Sequence, residues 1–166
     1  AGLINASSLL QAVRAPTTIT SFTPTAGPAS GGTTVVIAGE SFTGASAVTF
    51  GPDAATSFTV DSDTQITAVA PARNAGSVAI TVTAGDNTAV SIGSFEYQAT
   101  VPDPPAAVLA APLSGSARVT WSAPAYTGGV PLTGYTVTAS PDGATCTTTD
   151  LYCTVPGLAN DAPYTF

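Results

Sequence analysis

Pro24-Thr-Ala-Gly27-Pro28-Ala-Ser-Gly31-Gly32-Thr-Thr-Val35-Val-Ile37-Ala-Gly39-Glu-Ser-Phe42 is the stretch on which the fold turns. A double-glycine turn launches a strand, Val35 and Ile37 alternate toward one face, and Gly39 closes it. The same grammar continues on both sides. Strands are expected at 18–22, 33–38, 47–50, 58–60, 64–70, 77–83 and 94–97. The cleanest is 77–83, where Val78, Ile80 and Val82 alternate with Ala79 and Thr81. Gly51-Pro52-Asp53, Asn74-Ala-Gly76 and Gly85-Asp86-Asn87 are the turn signals between them. Short alternating strands at this spacing predict a β-sandwich rather than a βαβ fold.

Composition narrows the chemistry. The 166 residues are 44% hydrophobic and only 8% charged, which argues for an ordered chain. Lysine, histidine and methionine do not occur. That removes an imidazole base, a histidine metal ligand, a lysine Schiff base and any Ser-His-Asp triad within this chain. Three arginines against ten carboxylates leave a net charge of −7, so nucleic acid is excluded as a main partner. No apolar run reaches the ~18 residues of a membrane-spanning helix, and membrane insertion is not expected.

Residues 17–98 resemble the IPT/TIG family of immunoglobulin-like domains. The resemblance rests on Ile19 with Phe22-Thr-Pro24, Gly27-Pro28, Gly31-Gly32-Thr33, Val35, Ile37, Gly39 and Phe42. It continues through Val48-Thr-Phe50-Gly51, Thr64-Gln-Ile66-Thr-Ala68, Pro71 and Phe95-Glu-Tyr97. It implies an early-set immunoglobulin-like sandwich, a scaffold used in receptors, transcription factors and bacterial secreted enzymes. The basic DNA-contacting loops of the transcription-factor members have no counterpart, since Arg73 is the only base in the span.

Residues 99–105, Ala99-Thr-Val-Pro102-Asp-Pro104-Pro105, read as a Pro-rich linker in extended polyproline conformation, a semi-rigid spacer. Alternation then restarts over 106–166. Ala117-Arg-Val-Thr-Trp121, Pro124, Gly128-Gly-Val-Pro131-Leu-Thr-Gly134-Tyr135 and Cys153-Thr-Val155-Pro-Gly157-Leu158 lead to Tyr164-Thr-Phe166. This pattern resembles a fibronectin type III domain of the bacterial exported kind. The resemblance implies that Trp121 is the core tryptophan and that the Tyr164 hydroxyl bonds back to the preceding turn. It also implies that the domain stops within its sixth strand, so the natural polypeptide is expected to continue beyond Phe166, or another chain to supply the strand.

The expected architecture is therefore all-β: two tandem immunoglobulin-like β-sandwiches, the second incomplete at its C-terminus. Val35, Ile37, Phe50, Ile66, Ile80 and Phe95 are the expected core of the first, and Trp121, Tyr135 and Tyr164 of the second. Residues 1–16 form an N-terminal extension or a connection from a preceding region. Leu3, Leu10 and Val13 there could share a helical face, and Asn5-Ala-Ser7 fits a glycosylation sequon. With no basic leader and no initiator Met, the chain reads as a processed or excised piece.

Cys146 and Cys153, with six residues between them in Cys146-Thr-Thr-Thr-Asp-Leu-Tyr-Cys153, fit neither a redox nor a zinc pattern. A local disulfide is the better reading, against two reduced cysteines packed as small apolar groups. A disulfide implies an oxidising compartment and thus an extracellular or cell-surface location. Asp61-Ser-Asp63 offers two carboxylates, too few for calcium, and reads as a solvated turn. No metal, cofactor or catalytic residue is expected. Tyr126 and Tyr152 are the aromatics left for loops and are the weak ligand candidates.

These features predict non-catalytic spacer and interaction modules of a larger exported bacterial protein. The partners expected are other domains of the same polypeptide or neighbouring subunits. Two alternatives remain: a subunit or decoration of a filament, surface layer or virion, and an accessory polysaccharide-contacting part of a carbohydrate-active enzyme.

Overall fold

The computed structural model describes residues 15–166. The sequon at 5–7 and all but the last two residues of the expected extension, 1–16, lie outside that range. Among the described residues every regular element is a β-strand. Contacts divide the chain between Gln98 and Ala99 into two units.

The first unit has nine strands: β1 (Thr18–Thr23), β2 (Ala26–Pro28), β3 (Thr34–Glu40), β4 (Ala45–Phe50), β5 (Asp53–Ala54), β6 (Ser57–Ser62), β7 (Gln65–Val69), β8 (Gly76–Ala84) and β9 (Asn87–Gln98). They form a four-stranded sheet, β1-β3-β7-β6, and a five-stranded sheet, β2-β9-β8-β4-β5. Alternation decides what is buried. On β3, Val35 and Ile37 face inward and pair with Ala68 and Ile66 of β7. On the other sheet Val82 pairs with Val48, and Ile80 with Phe50. Val35, Ile37, Phe50, Ile66, Ile80 and Phe95 are fully buried in one cluster. At its centre Phe50, Phe95 and Tyr97 meet edge to face, with centroids 5.0 to 6.4 Å apart. This geometry suits aromatic quadrupoles better than face-to-face stacking.

Gly39 shows why the opening motif needs its glycine. A Cβ there would lie 1.9 Å from the Thr18 carbonyl oxygen and 2.5 Å from the Phe42 ring. The absent side chain lets β1 and β3 close over Phe42.

Three features depart from the alternation rule. The segment 26–28 pairs in parallel with β9 rather than serving only as a turn. β9 begins at Asn87, seven residues before the expected strand at 94–97. Between Val90 and Ser94 it carries extra residues relative to β8, held by a bond from the Ile80 N–H to Ser91 Oγ. Such a bulge breaks the two-residue period, which hides the strand.

The second unit contains β10 (Ala106–Leu113), β11 (Ser116–Ser122), β12 (Tyr135–Thr138), β13 (Thr145–Thr148) and β14 (Tyr152–Pro156). β10-β11-β14 form one sheet and β12-β13 another. Ala117, Val119, Trp121, Ala139, Cys153, Val155 and Leu158 are its buried cluster. Trp121 stacks at a tilt on Tyr135, with centroids 5.2 Å apart. Tyr135 and Tyr164, expected in the core, are only half-buried at its margin. Cys146 and Cys153 are disulfide-bonded, Cα atoms 6.2 Å apart, which ties β13 to β14.

The Pro-rich stretch does not stand free. Thr100 N–H donates to the Gly128 carbonyl, and Asp103 N–H to the Tyr126 carbonyl. A Cβ on Gly128, which sits at φ +81°, would fall 2.1 Å from the Thr100 carbonyl oxygen. The extended backbone therefore lies against the 126–128 loop, because its unpaired amides find acceptors there.

Candidate functional site

Three carboxylates of the first unit brace its turns and strands. Asp61 accepts from Gln65 Nε2 (3.2 Å) and Thr67 Oγ1 (2.7 Å), and Asp63 from the Thr43 N–H (3.0 Å) and Oγ1 (2.6 Å). Asp53 lies 3.4 Å from Arg73, whose guanidinium also donates to the Phe50 carbonyl and lies over the Tyr97 ring. Tyr97 is buried, and burial pushes its phenol up to about 12. No group of three or more metal-ligating side chains gathers among the described residues.

Cys146 and Cys153 serve as a staple. The Tyr164 hydroxyl accepts from the Ala159 N–H and donates to Asp142, holding the turn before the chain re-enters the sheet. The hydrogen bond it donates to Asp142 raises the Tyr164 pKa.

Of the two aromatic ligand candidates, Tyr126 is half-buried and bonded through its hydroxyl to Thr100 Oγ1 (3.3 Å). It supports the linker and is poorly placed for a ligand. Tyr152 is 46% exposed, and the Arg118 guanidinium carbon lies 4.5 Å from its ring centroid. Sequence reasoning missed Arg118. Its pairing with Tyr152 depends on the register of β11 on β14, which brings together positions distant in the chain.

The second unit also has an open face. Val108, Val119, Trp121, Tyr135, Val137 and Phe166 line an apolar cleft of about 150 Å³. The indole Nε1 of buried Trp121 has no hydrogen-bond partner there. Beside the cleft, among the described residues, β12 pairs with β13 on one edge. Ala139 N–H donates toward the β13 side, to Ala144, while Ser140 N–H donates the other way, to Thr165. Amides alternate in direction along an extended chain, so Thr136 and Thr138 point N–H toward the edge opposite β13. The two-way bond between Ser140 and Thr165 (2.9 and 3.1 Å) begins an antiparallel pairing along that edge.

Residues 16–97 match the model of the IPT/TIG domain, and residues 103–166 that of the fibronectin type III domain. The chain is an IPT/TIG domain followed by a fibronectin type III domain. No curated protein matches it significantly. Among solved structures, the TIG–fibronectin chain is similar to an auxiliary nutrient binding protein from Bacteroides thetaiotaomicron VPI-5482. That pair is 20% identical, covering 52% of this chain and 22% of the other, with a TM-score of 0.42. A structural genomics protein of unknown function from the same strain is 14% identical, covering 87% and 39%, with a TM-score of 0.47. SGBP-B from a complex xyloglucan utilization locus in Bacteroides uniformis is 14% identical, covering 64% and 40%, with a TM-score of 0.43. The chain thus spans well under half the length of each, and likenesses this distant carry no functional argument.

Proposed function

We propose that this TIG–fibronectin pair is a non-catalytic interaction and spacer segment of a larger exported bacterial protein. One observation carries the reading: the side chains that chemistry could use are taken up structurally, Asp61 and Asp63 in bracing hydrogen bonds, Asp53 on Arg73, and Tyr97 in the core. Two sandwiches in tandem suit a spacer that meets other domains of the same polypeptide or neighbouring subunits. The Cys146–Cys153 disulfide agrees with an extracellular or cell-surface setting.

The test is a hydrolysis screen of the chain alone against polysaccharide, ester and peptide substrates, and no turnover is the expected result. Turnover of any substrate by the chain alone would refute the non-catalytic reading.

A further inference from the structure

The sheet β10-β11-β14 has a second face, turned away from the cleft. Ala110, Val119 and Cys153 share the inner face, as do Pro112, Ala117 and Val155. Alternation then sends Leu109, Thr120 and Tyr152 outward in one cross-strand row, and Ala111, Arg118 and Thr154 in the next. We propose that this outer face binds a neutral polysaccharide, with Arg118 stacked on Tyr152 as its anchor.

Stacking consumes only the flat face of the guanidinium. Its N–H donors lie in the plane and stay available, in a fork that suits two adjacent sugar hydroxyl oxygens. Among the described residues Arg118 has no ion pair, so those donors have no carboxylate to release. The rest of the face matches a sugar's two characters. Leu109, 69% exposed, and Leu113, 52% exposed, offer apolar surface to the C–H side of a ring. Thr120 and Thr154 add hydroxyls beside Arg118.

Size and charge select the ligand class. Three strands ~4.8 Å apart and some seven residues long give a face of roughly 300 Å². A stable protein interface needs about 800 Å² on each partner, whereas a short run of sugars along the strands fits the smaller face. A polyanion would approach a chain of net charge −7, so the field disfavours acidic glycans. Glycan binding at this face and the non-catalytic reading can fail independently.

Affinity electrophoresis of the chain through gels containing a soluble β-glucan, a galactomannan, an arabinoxylan or polygalacturonate tests the proposal. At least one neutral polymer should retard the chain. Arg118→Gln and Tyr152→Ala should each weaken that retardation roughly fivefold or more, and Tyr126→Ala should leave it unchanged. Trp121 fluorescence checks that each variant is folded. Absence of retardation by every neutral polymer overturns the proposal, as does retardation by polygalacturonate alone. Retardation untouched by both substitutions in folded protein also overturns it. Should Arg118→Gln disrupt a protein–protein contact of the purified chain while no glycan binds, the face is a protein interface and the glycan assignment is wrong.

Discussion

Gly39→Ala tests the close approach on which the first unit's opening motif depends. The new methyl carbon would sit 1.9 Å from the Thr18 carbonyl oxygen and 2.5 Å from the Phe42 ring. Carbon and oxygen normally stop more than about 3 Å apart, so something must move by over ~1 Å. Neither neighbour is free to yield. Thr18 and Ile19 are held in the β1–β3 ladder, and Phe42 is fully buried. Overpacking of this kind costs about 1–3 kcal/mol, and with two rigid neighbours the upper end, about 3 kcal/mol, is expected. For a domain of this size that corresponds to a fall in Tm of roughly 12–24 °C. The assay is urea unfolding followed by far-ultraviolet circular dichroism and by Trp121 fluorescence in parallel. Trp121 is the sole tryptophan and lies in the second unit, so the fluorescence midpoint should stay while the first unit's dichroism transition moves. Gly93→Ala is the control, because a Cβ there meets only Phe22, at 3.9 Å. A Gly39→Ala change within about 0.5 kcal/mol of wild type would refute the steric argument.

Phe50→Ala removes the ring that meets both Phe95 and Tyr97, and should cost about 3–5 kcal/mol by the same dichroism assay. Alkaline pH should weaken the first unit. Its Tyr97 holds a proton up to about pH 12, whereas the unfolded chain releases it near 10, so stability is full below 10 and falls between 10 and 12. The loss is on the order of 2 kcal/mol, and Tyr97→Phe should flatten it in denaturation curves collected across that range. Replacing both Cys146 and Cys153 by Ser opens a short loop and should lower the second unit's stability by about 2.5 kcal/mol, read by Trp121 fluorescence.

The paired-sheet architecture was legible because most strands keep a clean two-residue period. Val35 and Ile37, or Ile80 and Val82, declare their face without help from a partner. Where the period breaks, local reading breaks with it. The bulge at Ser91–Gly93 hid the first half of β9, and a wholly exposed β10 offers no apolar alternation to find. Residues 26–28 fall in none of the expected strands, yet they pair with β9 because a parallel edge partner lay far along the chain. The site followed the same division. Tyr152 was visible as a candidate aromatic, but its partnership with Arg118 exists only through the β11–β14 register. Tyr126 looked equivalent to Tyr152 until the linker backbone closed over its loop. Likewise, the amide directions along β12 follow from the opposite donations of Ala139 and Ser140, which no spacing of residues reveals.

Amide hydrogen exchange along β12, resolved by NMR, bears most directly on the paired-strand alternation on which both units rest. Val137 and Ala139, which point to the β13 side, should be protected, while Thr136 and Thr138, which point away from it, exchange faster. Equal exchange at all four positions would contradict the assigned register.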